Sequence, residues 1–570
     1  KKKEERYQTA EEVRRELKKV KKGMGAAEEY TTREYWNLAE VARRAGGGDE
    51  YKTKVERAWV GGGAGRRGTS GIRARLRRLT RTPARLTLTV AALALAVVAA
   101  ITGRHWLVKG DAPVNSIAVL PFAGAIVDPQ LEYLPDGITE GLIRNLSQLP
   151  GLRVMAGGTV FTDKGRDVDP RQIGTSLNAR ALVTGRVEER GDLLTVEVEL
   201  VDARDGARIW GEQLRRPAPE IIGAQNEISR HIATALRLTP NGEEPLRSVR
   251  SYTANAEAYH LYLKGRYFFS QSTKESGQKA LGYFRQAINI DSQYALAYAG
   301  VGYASAFAAG RYELHGEGMR QAREASTRAL ELDNELPEAH FAMALVHWWA
   351  DWNWGAAETE FKRALELNPN QAQTHSIYAE FLTTRGRFAE ALDQARRARE
   401  LDPLSIYVNN SLGDALCEAR QYDGALTAYR QALELNPNGA WTRRGIGRVY
   451  LKQGKYDEAI DEFHRAISLD PQSLFISDLG FALGLAGRRA DAARELALIR
   501  RAVRVNYVSP VLIARIYAGM GNKKDALDCL DKAYLGRPNQ LAYLRIDPAF
   551  DGLRSDPRFD EPLRRLGLTP

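Results

Sequence analysis

From position 254 onward the sequence repeats with a nearly constant period, and no other feature limits the fold as much. Ala280, Ala322, Ala357, Ala391, Ala425, Ala459, Ala493 and Ala526 recur at intervals of 42, 35, 34, 34, 34, 34 and 33. Pro369, Pro403, Pro437 and Pro471 keep the 34-residue step and close phrases such as ALELNP and AISLDP. One unit of this length cannot bury its own apolar face, so copies must stack. Within a unit, the alanine lets two helices approach closely. Phe361, Tyr429 and Phe463 follow their alanines by four positions and fill the gap beside them. Proline cannot continue the second helix, and Gly386, Gly454 and Gly521 suit the end of the first. The pattern predicts stacked helical hairpins.

These residues resemble the tetratricopeptide repeat. The resemblance covers 254–540 with about eight repeats, and the tail 541–570, which contains DPAFDGLRSDPRFDEPLRRLGL, is expected to close the stack as a helical cap. It implies a concave groove lined by the first helix of each repeat. Carried onto this chain, one repeat offers Gln373, Ser376, Glu380 and Thr383, and the next Tyr407, Asn410, Asp414 and Cys417. A third offers Trp441, Arg444, Arg448 and Leu451. Their 3-4-3 spacing puts each set on one helical face whatever the family. The candidate partner site is Gln373, Glu380, Tyr407, Asn410, Asp414, Trp441, Arg444 and Arg448, an acidic part, an aromatic step and a basic part. Such a surface would orient a protein or peptide partner, with Asn410 bonding its backbone and the arginines taking a carboxylate. A merely solvated inner face satisfies the same spacing.

Upstream, residues 113–240 read as a small α+β domain. Ser116–Leu120 is a short buried strand, Asp136 caps a helix carrying Ile138, Leu142 and Leu146 on one face, and Leu152–Ala156 is a second strand. A short helix, Arg171–Leu177, precedes strands Ala181–Glu188, Leu193–Val201 and Ala207–Leu214, with turns at Gly191-Asp192 and Asp205-Gly206. A final helix runs from about Glu220 to Leu236. In Leu193–Val201 apolar and polar residues alternate, the mark of a half-buried antiparallel strand. The phrases IAVLPF, YLPDGITEGLIRNLSQLPGLRV and ELVDARDGARIWGEQ resemble the TolB amino-terminal-like domain. That resemblance implies an interaction or sensing module outside the cytoplasm and supplies no catalytic motif.

Leu86 to Gly103 carries no charge, and 14 of its positions are Leu, Val, Ile or Ala. A helix of that length covers about 27 Å, close to the bilayer's hydrocarbon thickness. Residues 1–110 hold 26 Lys/Arg against 12 Asp/Glu, which more than accounts for the net charge of +11. The eight arginines between Arg66 and Arg85 place the N-terminus in the cytoplasm and everything after about 106 outside a single-pass cell membrane. The same surplus attracts anionic lipid headgroups, and it is not interleaved with aromatics as a nucleic-acid surface would be. Residues 25–85 read as a flexible basic linker, in which Gly63–Gly68 matches GxGxxG by chance, since neither strand nor helix frames it. Within 1–24, Arg6 to Leu17 (RYQTAEEVRREL) resembles the final helix of bacterial Hanks-type serine/threonine protein kinases, and the chain begins at Lys1 without methionine. It is therefore expected to be the C-terminal part of a receptor kinase. An adenylate cyclase, a winged-helix regulator or a membrane-tethered scaffold would carry the same outer modules.

Composition offers no chemistry beyond binding. None of the eight histidines has HExxH or CxxC context, so neither metal nor cofactor is expected. Cys417 and Cys529 read as small packing groups, His340 and His347 as repeat packing, and Trp348, Trp349, Trp352 and Trp354 as filler between helices rather than a ligand cage. The fold class expected is mainly α, a tetratricopeptide solenoid preceded by a small α+β domain and one transmembrane helix, without catalytic machinery. The topology has a direct check: a reporter enzyme active only outside the cytoplasm is expected to work when fused after Pro240 and to fail when fused at Gly48. The reverse pattern would overturn the orientation.

Overall fold

The first buried strand and the first helix after it already decide the topology of the N-terminal region. In a computed structural model, the described residues are 114–125, 133–149, 151–155, 169–191, 193–217, 220–236, 253–271, 273–311, 315–471, 473–503, 508–536 and 538–568. The kinase-like segment, the linker and the stretch 86–103 lie outside them. Among the described residues no helix is long and apolar enough to cross a membrane.

Strand β1 (Ser116–Val119) is buried at all four positions because it lies between two neighbours. It pairs in parallel with β3 (Arg153–Met155) and with β4 (Ala181–Arg190). Parallel neighbours need a crossover, supplied by α1 (Leu134–Ser147) after the three-residue β2 (Ala123–Ala125). The expected α+β arrangement is thus corrected to α/β in its first half. The second half is antiparallel as expected. After α2 (Pro170–Leu177), β4 pairs with β5 (Leu193–Asp202), and β5 with β6 (Arg208–Pro217). Helix α3 (Ile221–Ala235) comes next and packs on α1 and β6. Asp136 does not cap α1. Pro135 occupies the first turn, and Asp136 stands beside it inside the helix, where a negative charge suits the N-terminus.

Eight helical hairpins complete the stack among the described residues. They are α4 (Ala256–Ser270) with α5 (Lys274–Ile290), α6 (Ala295–Arg311) with α7 (His315–Leu332), and α8 (Pro337–Val346) with α9 (Trp354–Leu367). Next come α10 (Ala372–Thr384) with α11 (Phe388–Leu401), α12 (Ile406–Glu418) with α13 (Tyr422–Leu435), and α14 (Ala440–Lys452) with α15 (Tyr456–Leu469). The last are α16 (Ser473–Leu485) with α17 (Arg489–Ala502), and α18 (Pro510–Gly519) with α19 (Lys523–Gly536). Ala280, Ala322, Ala357, Ala391, Ala425, Ala459 and Ala526 are fully buried, as are Phe361, Tyr429 and Phe463. In the seventh hairpin the buried alanine is Ala492, and Ala493 is exposed, so that one assignment is corrected by a single position. The left-handed residue after the first helix recurs at Gly386, Arg420, Gly454, Gly487 and Gly521. Its φ runs from 61° to 79°, which glycine adopts without the clash that Arg420 bears.

The single 35-residue step, from Ala322 to Ala357, has a structural cause. Between α8 and α9 the chain makes a π turn, His347–Asp351, and Trp352 takes a left-handed conformation. One extra residue is absorbed there without shifting the apolar face of α9.

The α/β region is bolted to the solenoid. Gly137 of α1 lies so close to α4 that an added Cβ would stand 2.6 Å from Leu263. Arg266 of α4 pairs with Glu140 at 3.3 Å, and the Tyr259 hydroxyl donates to Gln225 of α3. Farther along, Asn370 donates from one amide nitrogen to the carbonyls of Ser147 and Leu152, at 3.0 and 2.8 Å. At the other end, two 3-10 turns (Asn539–Tyr543 and Pro548–Leu553) and α20 (Pro557–Arg565) fold back on the stack. Within the expected helical cap, the α-helix is therefore confined to Pro557–Arg565 and the rest of the described helix is 3-10.

Ala459→Leu is expected to destabilise the chain by roughly 1–3 kcal/mol, because a fully buried helix contact has no room for the added carbons. Thermal unfolding followed by circular dichroism checks it, and an unchanged midpoint would mean that Ala459 is not the contact residue.

Candidate functional site

The inner face of the hairpins is built from α10, α12, α14 and α16, whose side chains recur in register because every hairpin has nearly the same length. That shared step brings charges together. Asp414 and Arg448, one repeat apart, meet at 2.7 Å. Glu418 accepts from Arg448 at 2.8 Å and from Lys452, its own counterpart one repeat on, at 2.6 Å. Arg444 and Asp478, again one step apart, meet at 2.5 Å, and Arg515 reaches the other oxygen of Asp478 at 2.5 Å. The Tyr429 hydroxyl donates to Asp414 at 2.9 Å. The inner face therefore carries a ladder of ion pairs that run from one first helix to the next.

This ladder changes the reading of the predicted site residues. Arg444 and Arg448 already hold carboxylates of their own chain, so the basic part expected to take a partner's carboxylate is neutralised internally. Asp478 is fully buried. Burial pushes its carboxyl up, and the guanidiniums of Arg444 and Arg515 outweigh that, so it stays below the usual carboxylate range. Gln373, Tyr407 and Trp441 are exposed, the last two at 41% and 39%. Trp441 stands edge-on to Phe475 with 5.0 Å between ring centroids, and the Arg444 guanidinium lies 5.7 Å from its ring centre. The buried Asn410 Oδ1 has no hydrogen-bond partner. Ser376, Thr383 and Cys417 face the packing instead and are buried. Burial pushes the Cys417 thiol up to about 11, which leaves it a protonated packing group at neutral pH.

Glu380 has a neighbour that the period does not foretell. It accepts from the hydroxyl of Tyr543, which arrives from the folded-back segment 163 residues away. The residues missed by sequence reasoning are thus Glu418, Lys452, Asp478, Arg515 and Tyr543. The first three stand one repeat from, or one turn beyond, residues already singled out, and extending the repeat step would have found them. No local signal marks Tyr543.

The tryptophans divide by role. Trp348 fills space between hairpins, against Phe381 at 5.6 Å and Phe361 at 6.3 Å. Trp349, Trp352 and Trp354 receive the C-terminal segment. Tyr543 packs against the core that holds Trp349, Trp352 stacks obliquely on Tyr534 at 5.6 Å, and Trp354 Nε1 donates to the Leu566 carbonyl at 2.8 Å. His340 joins its hairpin through Glu360 at 2.6 Å, a packing role. In the α/β region, ligand atoms of Glu212, Glu227 and His231 lie within 4.8 Å of one another. His231 pairs with Glu212 at 2.6 Å and Arg216 with Glu227 at 2.9 Å, so these groups satisfy one another.

Residues 349–406 and 410–473 match the tetratricopeptide repeat, and residues 113–230 match the second domain of HilA/YgeH-like transcriptional regulators. The described hairpins form an α-solenoid that contains these repeats. Among curated proteins, a 31% identical relative over 240 residues is "Putative adenylate cyclase 3" of Rhizobium meliloti (strain 1021), with 41% of this chain and 40% of that protein covered. The chain thus spans well under half of that relative's length. Similar solved structures include one titled "Functional Characterization of Pseudomonas Aeruginosa pilF", at 21% identity and TM-score 0.30, covering 37% of this chain and 92% of that one. Another is YrrB, titled "a TPR protein with an unusual peptide-binding site", at 20% identity and TM-score 0.25, covering 34% and 94%.

Asp478→Asn tests the ladder. A carboxyl held below its unfolded value of about 3.9 stabilises the fold above that pH, and the contribution is lost as pH falls through the folded value. The variant is expected to lose about 3–5 kcal/mol at pH 7 and to show a shallower acid-side decline. Urea unfolding at pH 7, 5 and 3 reads both effects. Wild-type stability at pH 7 would show that Asp478 is not held by these arginines.

Proposed function

We propose that this chain is the partner-binding, sensory region of a membrane-anchored bacterial signalling receptor, and that the partner is a protein or peptide bound on the inner face of the central repeats. The tetratricopeptide solenoid makes protein binding the natural role, and one observation focuses it. With the inner charges paired among themselves, what the groove exposes is Gln373, Tyr407 and Trp441. Recognition would then rest on amide and aromatic contacts, not on charge, which differs from the polarised groove the sequence suggests. The chain itself is read as binding without catalysis. The stretch 86–103 and its arginines support the anchor, with residues after about 106 outside the cell membrane. Arg6–Leu17 supports a serine/threonine kinase as the output domain.

A second reading has its own support. The 31% identity with the protein named as a putative adenylate cyclase favours a cyclase as the output, with the same outer modules. Both readings share the groove.

The test is recovery of partners from an extracytoplasmic fraction by the full chain and by a Tyr407→Ala, Trp441→Ala double variant. Substituting two exposed side chains is expected to leave the circular dichroism spectrum unchanged and to weaken capture by about tenfold or more, as loss of aromatic contacts does. Equal recovery by both proteins would remove the inner face from the binding role.

A further inference from the structure

The inner face at the fourth hairpin is occupied by the chain itself. Leu541 to Leu544 enter both major apolar cores: Ala542 joins the one around Trp349, and Leu541 and Leu544 join the one around Trp352 and Phe481. Between them Tyr543 delivers its hydroxyl to Glu380. Glu380 is a groove-lining position, and one repeat on stands Asp414, another acid, so the helix-to-helix pairing that neutralises Asp414 and Glu418 is unavailable at this step. Tyr543, from elsewhere in the chain, supplies a hydrogen-bond donor to Glu380.

The occupant is fully buried at Leu541, Ala542 and Leu544 but leaves a polar group unmet. It is a single 3-10 turn, Asn539–Tyr543, with poorer hydrogen-bond geometry than an α-helix. The buried Asn539 Oδ1 has no hydrogen-bond partner. A native occupant with an unsatisfied acceptor gives up stability that a better-matched segment would recover. Burial and then the Glu380 carboxylate hold the Tyr543 phenol well above its ordinary range, so it remains a donor at any physiological pH.

We propose that this part of the groove is a peptide site held closed by residues 538–544 of the same chain, and that the partner is a peptide presenting a tyrosine phenol between leucines, which displaces them. The inference rests on the groove reading above and adds the chemistry of the partner and the competition it must win. A tethered segment competes at an effective concentration of order millimolar, so only a better-matched peptide opens the site.

The probe is a fluorescein-labelled peptide with the sequence of residues 538–550, PNQLAYLRIDPAF, beside the same peptide with phenylalanine in place of tyrosine. Fluorescence anisotropy is measured with the full chain as wild type, Tyr543→Ala, and Tyr543→Ala with Glu380→Gln. Tyr543→Ala is expected to bind the tyrosine peptide about tenfold more tightly than wild type, because the competitor has been weakened. It should prefer tyrosine over phenylalanine by about fivefold, the worth of one hydrogen bond, and Glu380→Gln, whose amide oxygen accepts without a charge, should reduce that preference. If the alanine variant does not fold, Tyr543→Phe, which keeps the ring, carries the same comparison. Equal affinity in wild type and variant, or no binding to any of them, overturns the inference. If partner recovery still depends on Tyr407 and Trp441 while these titrations are flat, displacement alone is wrong. If both fail, the groove reading falls with it.

Discussion

The contact of two helices across one small buried side chain per repeat is what the rest of this structure depends on. Ala357, Ala391, Ala425 and Ala459 have no exposed surface, and the helices around them come close because nothing larger intervenes. That contact fixes the phase of each hairpin, and a nearly constant step repeats the phase down the stack. Side chains one step apart on neighbouring first helices then lie side by side. Asp414 with Arg448, Glu418 with Lys452 and Arg444 with Asp478 are three consequences of one geometric fact.

Hairpins, proline ends and left-handed turn residues were legible in the sequence because each is a local demand repeated many times. The misplaced Ala493 shows where locality fails: Ala492 and Ala493 are the same residue type, and only the packing of Leu496 and Ile499, buried with Ala492, chooses between them. Strand direction was hidden for a related reason. SIAV reads as a buried strand, yet nothing in four residues says that both its neighbours run parallel to it. In the groove, the face of each residue could be read and its partner could not. Spacing tells which side chains share a surface, but Arg444 and Arg448 look free until a second repeat is laid beside the first. Tyr543 lies beyond any such reasoning, since 163 residues separate it from Glu380.

One apolar core runs from the α/β region into the first hairpins, and the polar contacts set into that junction make it specific. Asn370 reaches two carbonyls with one amide nitrogen, and Arg266, Glu140, Tyr259 and Gln225 tie α1 and α3 to the first hairpin. Sliding one module over the other would strand these groups away from water, at a cost of about 1–3 kcal/mol each. These contacts favour one arrangement of the two modules.

An open stack of hairpins is elastic: its nearest-neighbour contacts let it stretch and twist as a spring. Here contacts across the stack, Trp354 to the Leu566 carbonyl over 212 residues and Tyr543 to Glu380 over 163, turn the spring into a buckled belt. Tension on a belt goes first to the buckle. Trp349 belongs to the π turn, Trp352 caps it and Trp354 follows it, so the buckle sits at the smallest irregularity in the period, the one surplus residue of the third repeat.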